Sequence, residues 1–287
     1  MTSEQEAPSP RVPIEASHGE EAEHHRADRW SWVEPGIWTE RMIAALETGV
    51  KGGRWFSLMD KVYAERTLRA AWERVKRNRG AAGVDRQSTA AFAAHAERYL
   101  GELGVALRTG QYRPQPVKRV WIDQPGSREQ RPLGIPTVKD RIVQTALLLV
   151  LEPIFEAGFG AQSYGFRPGR GCKDALRRVE TLLGEGAVWV VDADIQHYFD
   201  TIPHEGLMRE VSEQIADGGV LDLIRGYLRQ GVLEGLDRWE PTAGSPQGAV
   251  VSPLLANIYL NPLDHHMEQG AREMVRYADD VVILCRS

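Results

Sequence analysis

The sequence predicts an α+β protein, and three observations carry that reading. Helical periodicity marks three segments between Met59 and Leu151, and strand and helix signals alternate from Ala187 onward. With 42% hydrophobic residues, a chain of 287 residues can bury a sizeable core. Two widely separated cysteines, Cys172 and Cys285, exclude a disulfide scaffold and suggest a reducing compartment such as the cytoplasm. The longest apolar run, Ala146–Leu151, is too short to span a bilayer, so no membrane partner is expected.

Residues 1–28 read as a disordered acidic tail. They hold Pro8, Pro10, Pro13 and a Glu-rich stretch without apolar periodicity, and they do not resemble a signal peptide. His24 and His25 have no further ligand at a metal-binding spacing. A helix is expected over Met59–Asn78, where Leu58, Val62, Ala64, Leu68, Ala71, Trp72 and Val75 form one face among many arginines, with Gly80 and Gly83 ending it. A second spans Thr89–Thr109 with Ser88 as its cap. Val117–Ile122 reads as a strand, with Pro125-Gly126 at a hairpin tip. Lys139–Leu151 is a helix closed by Pro153. Ala187–Val191 is a fully apolar, buried strand that runs into Asp192 and Asp194. Helix is expected over about 204–230 and 252–268, and two β-rich runs flank Asp279-Asp280.

The formal charge of −5 is an average over unlike blocks. Residues 1–60 carry 6 basic and 11 acidic side chains, residues 61–180 carry 22 and 12, and residues 181–287 carry 7 and 17. The net values are therefore −5, +10 and −10. A basic block beside a carboxylate-rich one suits a protein that holds a polyanion and positions cations, although two solvated faces of opposite sign would look the same.

Three carboxylates stand out. Asp194 ends the strand VWVVDAD, and Asp279 with Asp280 sits at the tip of a hairpin in VRYADDVVIL, where Asp tolerates the turn geometry. An Asp-Asp pair in a turn is more often plain turn chemistry. Adjacent carboxylates also repel, however, and an oxygen-rich pocket of that kind favours Mg²⁺.

From about Leu58 to Leu284 the chain resembles the fingers and palm of a group II intron-type reverse transcriptase, an RNA-directed DNA polymerase. The segments are NRGAAGVD (78–85), QYRP (111–114), RPLGIPTVKDRIVQ (131–144), QSYGFRPGRGC (162–172), VVDADIQHYFDTIPH (190–204), GSPQGAVVSPLLANIYL (244–260) and RYADD (276–280). Their order and spacing follow the family's. The resemblance implies a right-hand polymerase. An N-terminal extension and basic, mostly helical fingers with a β-hairpin would span 29–180, and an incomplete ferredoxin-like antiparallel palm would span 181–287, with the thumb absent. It implies two Mg²⁺ ions, with Mn²⁺ as a substitute, held by Asp194, Asp279, Asp280 and the carbonyl of Ile195. The expected partners are an RNA template, intron RNA, a DNA primer and deoxynucleoside triphosphates.

The same resemblance assigns further roles. Phe199 matches the bulky side chain that leaves no room for a ribose 2′-OH, and it also reads as a core aromatic. Gln247 and Gly248 lie where the nucleotide and template base would sit, with Gly248 allowing close backbone approach. Arg131 matches the fingertip arginine on the triphosphate. Arg167 is expected to contact template, the alternative being a salt bridge between fingers and palm. Two features depart from the family. Ile122-Asp123-Gln124 replaces Ile-Pro-Lys, so the triphosphate lysine is missing at Gln124 unless Arg128 substitutes. The chain also stops at Ser287, seven residues after Asp280, which leads to the expectation of a C-terminally truncated enzyme that extends primers poorly unless a thumb or maturase portion acts in trans. The rival readings are a non-catalytic, maturase-like RNA-binding fragment and a retron or diversity-generating polymerase.

Overall fold

The computed structural model describes residues 29–123, 130–269 and 273–286. The acidic-tail expectation, the Pro125-Gly126 tip and the roles weighed for Gln124 and Arg128 all lie outside the described residues. The chain divides after Val33. In the described part of the N-terminal unit, the Trp30 and Trp32 rings lie 6.0 Å apart and Trp32 Nε1 donates to the Arg29 carbonyl at 3.1 Å.

The second unit begins with helix α1 (Glu40–Thr48), which is capped by the Thr39 hydroxyl. Two helices, α2 (Met59–Val62) and α3 (Glu65–Asn78), replace the single one expected, because Ala64 takes an extended conformation (ψ 136°) that breaks the ladder. Leu68, Ala71, Trp72 and Val75 form the buried face of α3. The left-handed residue that ends it is Arg79 (φ 46°), not Gly80. His95 likewise divides the next segment into α4 (Thr89–Ala93) and α5 (Ala96–Arg108), and Ser88 caps α4 as its sequence suggests.

Strands β1 (Val117–Asp123) and β2 (Gln130–Ile135) form an antiparallel hairpin in which Ile122 faces Arg131. Helix α6 (Val138–Glu156) packs along α3 and is almost wholly buried. Pro153 does not close α6, which continues to Glu156. A proline there cannot donate to the Leu149 carbonyl four residues back, and the Trp38 indole N–H takes that carbonyl instead at 3.1 Å.

After α7 (Cys172–Gly184), β3 (Trp189–Asp194) and the short α8 (Tyr198–Thr201), the expected single helix over 204–230 is again two, α9 (His204–Gln214) and α10 (Gly218–Leu228). Asp217 between them accepts from Val220 N and also from Leu58 N and Met59 N, so one carboxylate caps both α10 and α2. Those backbone donors hold its carboxyl below the usual range against the opposing effect of burial. Strands β4 (Val232–Glu234) and β5 (Asp237–Trp239) extend the fingertip hairpin into a mixed sheet of order β2-β1-β4-β5.

Helix α11 (Ser252–Gln269) leads into β6 (Glu273–Tyr277) and β7 (Asp280–Cys285). The second sheet, of order β3-β7-β6, is antiparallel throughout. On one face Ala175 and Leu182 of α7 pack with Val275 and Leu284; on the other Met267 packs with Met274 and Val281. β3 corrects the expectation of a buried strand. Trp189 is 66% exposed and Val191 53%. β3 is an edge strand, and the clusters against α7 and α11 draw on β6 and β7 rather than on it. Among the described residues no helix is long and apolar enough to cross a membrane.

Candidate active site

The register of the second sheet sets the geometry. Asp194, the last residue of β3, pairs with Asp280, the first of β7, and Tyr277 pairs with Asp280 from the other side. Side chains alternate along a strand, so Asp192, Asp194 and Asp280 share one face of the sheet, while Asp279 sits in the turn beside them. The consequence is electrostatic. Burial raises the Asp280 carboxyl above its ordinary value, and the charges of Asp279, Asp194 and Asp192 raise it further.

The turn is built differently from the sequence expectation. Ala278, not an aspartate, takes the left-handed conformation (φ 60°). Gly165 explains how the turn is seated: a Cβ there would lie 2.3 Å from Ala278 N. The glycine of the GFRP segment therefore admits the hairpin tip against its own backbone.

A second cluster lies around Gln247. Arg131 Nε donates to Gln247 Oε1 at 2.8 Å, and Gln247 Nε2 donates to Asp200 Oδ2 at 3.0 Å. Gly134 N donates to the Gln247 carbonyl at 2.7 Å, which docks β2 on the 244–248 loop. Gly248 is left-handed (φ 95°), and a Cβ on it would meet Gly134 O at 2.5 Å. The close approach at Gly248 is thus to β2, where the sequence suggested nucleotide. A cavity of about 210 Å³ opens beside this cluster, lined by Arg119, Gly134, Asp200, Trp239, Ser245 and Gln247.

Helix α8 joins the two clusters. Its Tyr198 is pushed up by burial and, to a lesser degree, by Asp279, while its Asp200 holds Gln247. Phe199 between them is 9% exposed and stands edge-on to Phe166 at 6.2 Å and to Tyr198 at 5.7 Å. Both readings of Phe199 are compatible with that position. The Ile195 carbonyl accepts from Tyr198 N at 3.2 Å and keeps a second lone pair.

Arg167 is not part of either cluster. Its side chain is 3% exposed, its Nε and Nη2 donate to Glu156, and its Nη1 donates to the carbonyls of Gly160 and Ser163. Glu156 lies in the same 29–180 span as Arg167, so this ion pair does not join fingers to palm as the alternative expected. Asp123 accepts from Gln130 Nε2 at 2.8 Å across the fingertip hairpin. Sequence reasoning assigned no role to Asp200, although it lies six residues after Asp194 inside the VVDADIQHYFDTIPH segment. It also assigned no role to Phe166, an exposed aromatic at φ 57° within the QSYGFRPGRGC segment.

Among the described residues no three ligating side chains converge into a ready cage for a metal. The fit is of another kind. Mg²⁺ is commonly held by one or two carboxylates together with substrate phosphates and water, and an open face of mutually repelling carboxylates suits that mode.

Comparison with known proteins places this geometry in a family. A family model described as Reverse transcriptase (RNA-dependent DNA polymerase) matches residues 122–287. The chain is 41% identical over 173 residues to the Group II intron-encoded protein LtrA of Lactococcus lactis subsp. cremoris, covering 60% of this chain and 29% of LtrA. It is 39% identical over 192 residues to Protein YkfC of Escherichia coli (strain K12), covering 65% of this chain and 50% of YkfC. A chain in the solved "Partial Cas6-RT-Cas1--Cas2 complex" superposes with a TM-score of 0.52 at 26% identity, covering 80% of this chain and 38% of that one. This chain thus spans half or less of the length of these relatives. The opposed aspartates, the docked fingertip strand and the matched segment from 122 to 287 together identify the chain as a member of the reverse transcriptase (RNA-dependent DNA polymerase) family.

Proposed function

We propose that the chain carries the polymerising centre of a group II intron-type reverse transcriptase, with residues 29–180 as basic fingers and 181–287 as palm, working in the cytoplasm. The observation that carries this reading is the pairing of Asp194 with Asp280 beside Asp279. The reaction is attack of a DNA primer 3′-hydroxyl on the α-phosphorus of a deoxynucleoside triphosphate, directed by an RNA template, with pyrophosphate as the leaving group.

Asp194, Asp279, Asp280 and the free lone pair of the Ile195 carbonyl are the groups that would hold two divalent cations, Mg²⁺ or Mn²⁺. When bound, such ions activate the attacking oxygen and neutralise charge on the leaving one. The remaining chemistry belongs to the chain. Arg131 exchanges Gln247 for phosphate oxygens, a planar donor pair that suits them. Gln247, still held by Asp200, orients the incoming base pair. Phe199 fills the volume that a 2′-OH would need. Intron RNA is a further partner on the basic block, and the name of LtrA supports that choice.

The test is single-turnover addition of one deoxynucleotide to a primer on RNA, with protein in excess so that weak duplex grip does not decide the result. Asp279→Asn is expected to slow addition by about 10³-fold, corresponding to about 4 kcal/mol in the barrier. Equal rates for the variant and the wild-type chain would remove Asp279 from catalysis. RNA binding with no addition by the wild-type chain would favour the maturase-like reading.

A further inference from the structure

The strand that precedes the Asp279 turn buries one of its two charged residues. Arg276 is fully buried, on the sheet face that packs against α11. Its Nε and Nη2 donate to the two oxygens of Asp264 at 2.7 and 2.5 Å, and that carboxylate is fully buried as well. Its Nη1 donates to Asn257 Oδ1 at 3.0 Å and to the carbonyl of Ala278 at 2.8 Å. Asn257 and Asp264 lie seven residues apart on α11, and so on one face of that helix.

The Ala278 contact matters most. Ala278 is the left-handed residue of the turn, a conformation that an L-residue with a Cβ does not favour. Asn257 Nδ2 donates to the Gly165 carbonyl at 2.9 Å, and Gly165 is the residue against which Ala278 N is packed. Tyr164 N donates to the Arg276 carbonyl and Arg276 N donates to the Gln162 carbonyl, both at 2.9 Å. The turn is therefore gripped from inside by one guanidinium and from outside by one backbone segment, and Asn257 touches both.

We propose that Arg276, Asp264 and Asn257 form a buried clamp that fixes the Ala278–Asp279 turn and thereby positions the Asp279 carboxylate for a divalent cation. Arg276 is a positioning residue in this scheme and touches no substrate. A buried ion pair is a poor device for stability alone, because desolvating both charges offsets most of their attraction and an apolar pair of similar volume often folds as well. What an apolar pair cannot do is donate a hydrogen bond to the Ala278 carbonyl. The inference that the clamp serves a cation rests on the proposed polymerase reading, whereas the clamp itself does not.

The experiment separates the two with the full chain. Arg276→Lys keeps the charge but lacks the planar fork that reaches Asp264 and Ala278 together, and Arg276→Met combined with Asp264→Leu replaces the pair by apolar side chains. Amide hydrogen exchange over residues 276–280 reads the clamp, Mn²⁺ titration followed by electron paramagnetic resonance reads the cation site, and thermal unfolding reads the fold. Both variants are expected to exchange faster at the turn and to bind Mn²⁺ about tenfold more weakly, the size typical of groups that orient a metal ligand. Arg178→Gln, which breaks the exposed pair between Arg178 of α7 and Glu273 of β6, is expected to change neither. Unchanged turn exchange in a folded variant would overturn the clamp. Faster exchange with unchanged Mn²⁺ affinity would overturn its link to the cation. Absence of Mn²⁺ binding by the wild-type chain would overturn the reading on which that link rests. If the double variant does not fold, Arg276→Lys decides.

Discussion

Phe199 packs in the interior, and in the proposed function its ring also selects against a ribose 2′-OH. Its ring stands edge-on to both Phe166 and Tyr198, and Tyr198 is itself held by a 2.7 Å hydrogen bond to the Ala256 carbonyl. A rigid ring excludes an extra hydroxyl better than a mobile one. Phe199→Ala is therefore expected to reduce discrimination against ribonucleotides by about 10²-fold, read as the ratio of kcat/KM for a deoxynucleotide and its ribonucleotide counterpart. Unchanged discrimination would return Phe199 to the core. The aspartates and Phe199 were legible in the sequence because they sit in ordered motifs. Asp200 and the Arg276–Asp264–Asn257 set were not, because their partners are 47, 12 and 19 residues away and only the folded chain brings them together.

At the scale of elements, α6 shows where pH acts. Burial lifts Asp140 to about 6, against opposing hydrogen bonds from Tyr112, Thr137 and Gln115. Burial, with Glu156 nearby, lifts Glu152 to about 7, against the attraction of Arg74. An acid whose folded pKa lies above its unfolded one favours the folded state most when protonated. The stability that each contributes is fully present below about 4 and is lost as pH rises through about 6 and 7 respectively. Glu152→Gln is expected to raise the Tm by about 2–4 °C at pH about 8 and to flatten its decline between pH about 5 and 8, as measured by thermal unfolding across that range. A Tm that falls at pH 8 would show that Glu152 is stabilised there as a charge.

Element boundaries were the least legible part of the fold. Helix periodicity found the buried face of α3, but the breaks at Ala64 and His95 come from backbone conformations that no composition signals. The passage of α6 through Pro153 depends on Trp38, more than a hundred residues away in sequence. The exposure of β3 was hidden for a related reason. Apolar residues on an edge strand and in a buried strand read alike.

For the whole molecule, the net charge of −5 conceals a division that matches the proposed work. A +10 block is suited to phosphate backbones, and the −10 block contains Asp192, Asp194, Asp279 and Asp280, where burial and then mutual repulsion lift Asp280. The two clusters that the sequence treats as separate motifs meet through α8, with the fingertip strand β2 docked on the loop that carries Gln247. If this assembly copies RNA into DNA as proposed, template choice tests it most directly. On poly(rA) primed with oligo(dT), single-turnover addition should accept dTTP and reject dGTP. On poly(rC) primed with oligo(dG), the preference should reverse, and Asp194→Asn should abolish both. Addition that ignores the template, or that survives Asp194→Asn, would contradict the account.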